Sequence, residues 1–159
     1  MPMHIGDPMP PLEGATTWFN GSWEDVREKG RERPTLVHFW AVSCGVCKEN
    51  MARLHELTTK FEPLGLQVIS IHMPRCEADT GLDAITQVME QNAVTEPTAV
   101  DNLHKLKDAF LNEQGWVPVY YLFDAEGKLR TRAMGEFGVA VLTTALDKMF
   151  ASNAVQAGI

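Results

Sequence analysis

Cysteine is scarce in this chain, with three in 159 residues. Three is too few, and odd in number, for a framework of structural disulfides. A chain of this length can bury a core without such staples. Positive charge is also short: 14 Lys and Arg stand against 21 Asp and Glu, a formal net charge of −7. That deficit argues against a nucleic-acid partner, whose phosphates call for clustered cations. No apolar run reaches the roughly 18 residues of a membrane span. Residues Met1–Pro11 have neither the basic start nor the apolar stretch of a secretory leader. A cytoplasmic protein is expected, the alternative being an exported one whose leader has been removed. Repeats, low-complexity tracts and linkers are missing too, so one domain over 1–159 is expected.

What is present is a succession of short elements. Residues 1–21, rich in Pro and Gly, read as an extended N-terminal arm. Ser22 with Asp25 marks the start of a short helix that ends near Gly30. Thr35–Trp40 is a β-rich run after Pro34. Cys47, Met51, Leu54, Thr58 and Phe61 then recur at helical spacing until Pro63 and Gly65. Leu66–Met73 reads as the next strand, followed by a polar loop. Leu82, Ile85, Val88 and Met89 form a second helical stripe. Thr98–Val100 is a short extended piece. Leu103, Leu106, Ala109 and Phe110 form a third stripe. Val119–Phe123, a turn at Asp124–Gly127 and Lys128–Arg130 read as a hairpin. A last helix carries Val139, Leu142, Leu146 and Met149. Strands alternating with helices, then a hairpin and helix, predict an α/β fold. Its central mixed sheet is flanked by helices on both faces.

Two of the cysteines form Cys44-Gly45-Val46-Cys47, between a strand and a helix. Disulfide exchange needs a thiolate that attacks and a second thiol near enough to release the mixed disulfide. Residues three apart share a helical face, and the unpaired N–H groups of a helix start favour a thiolate. Cys44 is therefore assigned as nucleophile and Cys47, expected to be the more buried, as resolving thiol. Half of a zinc site and two inert cysteines are the competing readings. The first is poorly supported because a second cysteine pair is missing. No metal and no organic cofactor is expected, since the electrons reside in the Cys44–Cys47 pair.

The segment Leu36–Lys48 resembles the active-site segment of thioredoxins, particularly the TlpA/ResA-type thiol-disulfide oxidoreductases. Val117-Pro118 and the following Val119–Gly127 are similar to the same family's cis-proline strand and hairpin, and the likeness runs over nearly the whole chain. The resemblance implies a thioredoxin-like fold. It also implies that Val117-Pro118 is cis and faces Cys44, where the Val117 backbone pairs with an extended substrate segment. Gly45, Val46 and Trp40 join Val117 and Pro118 as substrate-site residues, Trp40 mainly by packing under the turn. His38 falls where thioredoxins carry a buried acidic residue, so it is a candidate acceptor for the Cys47 proton. An ordinary core histidine is the equal alternative. His72 and Glu77 are rival candidates, Glu77 because branches of the family place a catalytic Glu near that loop.

The chain also departs from the family pattern. Ser43 stands where Trp is usual before the nucleophile, Val46 where Pro is usual between the cysteines, and Ala52 where Pro is common in the helix. These changes bear on the redox potential rather than the reaction class. The Gly45-Val46 dipeptide, without His, points to a reducing enzyme. Cys76 reads as an ordinary loop cysteine.

The expected activity is thiol-disulfide exchange, with protein disulfides as substrates, an upstream dithiol as donor and a monomer as the working unit. A thiol peroxidase is one alternative, although Ala41 stands where such sites need Thr or Ser. A redox-inactive binding module of the same fold is the other.

Overall fold

Every residue of Thr35–Trp40 is buried, including Thr35 and His38, because this strand lies inside a sheet covered on both faces. The computed structural model describes residues 1–156, with side chains to residue 151. Its strands are β1 (Thr17–Phe19), β2 (Thr35–Trp40), β3 (Gln67–His72), β4 (Thr98–Val100), β5 (Val119–Phe123) and β6 (Leu129–Met134). They form one six-stranded sheet in the order β1-β4-β3-β2-β5-β6. β2, β3 and β4 run parallel, while β1, β5 and β6 are antiparallel to their neighbours.

The helices are α1 (Trp23–Lys29), α2 (Gly45–Phe61), α3 (Leu82–Gln91), α4 (Lys105–Ala109) and α5 (Gly138–Gln156). Ser22 caps α1 as expected, its side chain accepting the Asp25 N–H at 3.2 Å. The alternation of side chains along β2 divides the core. Val37 and Phe39 pack with Val26, Leu106 and Phe110 of α1 and the α4 region. Leu36 packs with Leu54 and Leu57 of α2 and Leu142 and Leu146 of α5. Trp40, on that second face, joins the two cysteines and Ile85, Val88 and Met89 of α3.

Two expectations change. Residues 17–19 of the expected extended arm are β1, a strand of the sheet paired with β4 from Thr17↔Val100 to Phe19↔Thr98. Farther upstream, Pro8 bridges to Lys128. A three-residue strand between Gly- and Ser-rich turns is too short to show a period of its own. The stripe from Leu103 to Phe110 supplies only the five-residue α4, and Leu103 is exposed. The polar loop after β3 contains a 3₁₀ turn at Glu77–Thr80.

Candidate active site: a disulfide at the start of α2

Cys44 is the N-cap residue of α2, with extended backbone, and its Sγ accepts the Cys47 N–H at 3.1 Å. That bond directs a helix-terminal donor at the Cys44 sulfur, an arrangement that favours a thiolate there in the reduced protein. The two cysteines are joined as a disulfide, their Cα atoms 5.3 Å apart. In this oxidised state they are almost equally covered, Cys44 at 3% and Cys47 at 2% exposure. The expected contrast in burial is therefore missing: both sulfurs sit in one cluster with Trp40 and Met51. Gly45 and Val46, between them, are exposed.

The turn entering α2 is held one peptide at a time. The Val42 N–H donates to His72 Nε2 at 3.1 Å, the Ser43 N–H to Asp79 Oδ1 at 3.1 Å, and the Cys44 N–H to the Ala41 carbonyl at 3.0 Å. Asp79 Oδ2 also accepts the Ser43 hydroxyl at 2.7 Å and the Arg75 N–H at 2.9 Å. The Arg75 guanidinium closes the group by donating from Nε to Ser43 Oγ at 3.1 Å. It donates again to the Ser43 carbonyl, at 2.7 Å.

Charge follows these contacts. Burial holds His72 neutral and lowers its pKa to about 4, although Asp79 opposes the shift. Its Nε2 accepts from Val42, so the proton resides on Nδ1, which has no hydrogen-bond partner among the described residues. Burial acts to raise the Asp79 carboxyl, but the Arg75 N–H and the Ser43 hydroxyl outweigh it and hold the group below its ordinary value.

Val117-Pro118 is cis, and Val117 packs against the cluster containing both cysteines. Neither the N–H nor the carbonyl of Val117 has a hydrogen-bond partner among the described residues. Trp116 beside it is 50% exposed. The β6–α5 connection is tied to the same place, the Gly135 N–H donating to the Pro118 carbonyl at 2.9 Å.

The other sequence candidates do not reach the sulfurs with a polar group. Trp40 is 1% exposed, with its indole N–H on Ser70 Oγ at 3.2 Å and its ring edge-on to His72. It packs beneath the turn and has no face for a substrate. His38 Nε2 pairs with Glu96 Oε1 at 2.9 Å, and neither cysteine sulfur is among its hydrogen-bond partners. The Glu77 side chain is exposed, and among the described residues its carboxylate makes no hydrogen bond or ion pair. The carboxylate that reaches the turn belongs to Asp79, two residues on. Spacing alone does not separate these two acids; only the course of the 3₁₀ turn does. Cys76 is free and exposed.

Among the described residues no helix is long and apolar enough to cross a membrane. The AhpC/TSA family profile matches residues 5–132. The chain is 40% identical to the thiol-disulfide oxidoreductase YkuV of Bacillus subtilis (strain 168), over 95% of this chain and 99% of that protein. It is 26% identical to the thiol-disulfide oxidoreductase ResA of Bacillus anthracis. That match covers 71% of this chain and 59% of the relative. The solution structure of a thioredoxin-like protein in the oxidised form superposes with a TM-score of 0.82. It is 37% identical, covering 94% of this chain and 99% of that one. With the disulfide at the head of α2 and the mixed sheet behind it, the chain belongs to the AhpC/TSA family, as a thioredoxin-like thiol-disulfide oxidoreductase.

Proposed function

We propose that this oxidoreductase acts on disulfides of protein substrates, with Cys44 attacking and Cys47 resolving. In the reduced protein the Cys44 thiolate attacks one sulfur of the substrate disulfide. A Cys44–substrate bond forms as the S–S bond breaks, and the departing thiolate takes up a proton. Cys47, deprotonated, then attacks Cys44 Sγ. The substrate leaves as its second thiolate, and the Cys44–Cys47 bond forms. Two electrons have passed to the substrate, and a dithiol donor returns them by the reverse exchange.

The observation that carries the assignment is the hydrogen bond from the Cys47 N–H to Cys44 Sγ. It singles out Cys44 as the sulfur facing the helix start. The unpartnered Val117 backbone supports an extended polypeptide as the substrate form, held by strand-like pairing beside the sulfurs. Exposed Trp116 and Phe137, on either side of β5 and β6, supply apolar surface for a protein partner. No organic cofactor enters these steps.

Incubation of the reduced Cys47→Ser variant with cell extract tests this reading. Covalent, dithiol-releasable adducts with proteins are expected, and Cys44→Ser should give neither adducts nor turnover. Adduct formation independent of Cys44 overturns the assignment. Noncovalent partners alone would instead favour a binding module.

A further inference from the structure

Arg75 is exposed, yet three observations fix its place. Its guanidinium spans both polar groups of Ser43, the hydroxyl at 3.1 Å and the carbonyl at 2.7 Å. That carbonyl belongs to the peptide whose nitrogen is Cys44's. The loop that bears it is fastened at both ends, since His104 Nε2 meets the Pro74 carbonyl at 2.9 Å and Asn102 donates to the Thr80 carbonyl at 3.2 Å. Finally, no carboxylate forms an ion pair with the guanidinium among the described residues. Asp79 is one hydrogen bond removed, on the other side of the Ser43 hydroxyl.

We propose that Arg75 is a positioning residue for disulfide exchange, pinning the Ser43–Cys44 peptide and holding a positive charge on the carbonyl that precedes the attacking cysteine. The inference rests on Cys44 being the nucleophile, as argued above. Ser43 makes the arrangement possible: a bulky apolar side chain there would offer the guanidinium no hydroxyl. The other ionisable groups around the turn do not replace it. Asp79 is anionic, His72 is neutral above about pH 4, and α3 and β4 meet the cysteines with Ile85, Val88, Met89 and Val100. Lys48 is exposed on α2, and among the described residues its ammonium makes no hydrogen bond to the turn; only its backbone N–H reaches the Cys44 carbonyl, at 3.4 Å. A fixed cation favours the thiolate over the thiol, and favours the ionised sulfur again when a substrate leaves Cys44.

The test is an ultraviolet thiolate titration in a Cys47→Ser, Cys76→Ser background, where Cys44 is the lone thiol. Arg75→Ala should raise the Cys44 pKa by about 0.5–1 unit. Arg75→Lys should recover at least half of that shift, since it restores charge but not the two-pronged contact. The Ala-to-parent difference should shrink in about 1 M salt, where screening acts over roughly 3 Å. The same substitution in the otherwise native protein should slow attack on a disulfide below pH 7. An unchanged pKa in Arg75→Ala overturns the proposal, even if the melting temperature falls, because that outcome describes a brace and nothing more. The reading beneath it is checked separately by the parent protein: an unacidified Cys44 there would sink the nucleophile assignment itself.

Discussion

His38 Nε2 lies 2.9 Å from Glu96 Oε1, joining the middle of β2 to the segment before β4 across 58 residues of sequence. The histidine is 4% exposed at its side chain and the glutamate 18%. Burial acts to raise the Glu96 carboxyl, but the His38 hydrogen bond and charge outweigh it and leave the group lowered. A lowered carboxylate contributes stability that is present above its unfolded pKa and lost as pH falls through the folded value. Glu96→Gln should therefore flatten the acid limb of the stability curve below about pH 4.5. Glu96→Ala should cost about 1–3 kcal/mol at neutral pH by stranding the imidazole. Urea unfolding at neutral and acid pH measures both.

His72 makes a different prediction in a different window. Its pKa falls from 6.5 to about 4 on burial, so the unfolded chain binds the proton more readily than the native one. The contribution of this group to stability is full above about pH 6.5 and should decline as the solution is acidified towards pH 4. The loss reaches about 3 kcal/mol at the lower end. His72→Gln keeps an acceptor for the Val42 N–H and removes the titration. The slope of unfolding free energy between these pH values should fall accordingly.

Asp79 receives three hydrogen bonds from two residues, Ser43 and Arg75. Asp79→Ala should destabilise the protein by about 2–4 kcal/mol, the range for losing charge-assisted bonds and orphaning their donors. Asp79→Asn should cost less, since one oxygen remains. Glu77→Ala, next door and solvent-facing, should stay within about 0.5 kcal/mol of the parent. Denaturant midpoints of the three variants decide this.

Gly138 opens α5 against the Tyr120 ring, where an added Cβ would lie 2.5 Å from Cε2 and 2.7 Å from Cδ2. Tyr120 is itself buried, its hydroxyl accepting from Asn50 Nδ2 at 3.3 Å. Gly138→Ala should lower stability by about 1–3 kcal/mol through overpacking. A thermal melt at neutral pH provides the measurement, and a stability equal to the parent's would mean that the ring yields freely.

The elements legible in the sequence are those whose signals are local. Thr35–Trp40 is β-rich and follows a proline, Ser22 and Asp25 sit at cap spacing, and Cys44 and Cys47 lie one turn apart at a strand–helix junction. Each is read within a dozen residues. β1 escapes because three residues carry no period, and its pairing with β4 lies about 80 residues away. The supports of the active-site turn escape for the same reason. Ser43 and Asp79 are 36 residues apart and meet only because the loop after β3 folds back, while Val42 and His72 are 30 apart and meet through the pairing of β2 with β3. Family likeness pointed to His38 and Glu77 as proton carriers. It does not register that His38 has its own carboxylate partner, or that Asp79 rather than Glu77 turns inward.

The placement of β1 bears on how a partner's chain can approach. At one margin of the sheet an incoming extended segment finds a strand of three residues; at the other it finds β6, which carries Arg130 and Arg132 and an irregular register. Neither margin is a long, flat template for adding a strand. The free main-chain groups of Val117 lie instead against the cluster that holds both cysteines, so under the proposed function a visiting polypeptide would pair there and not along the rim of the sheet.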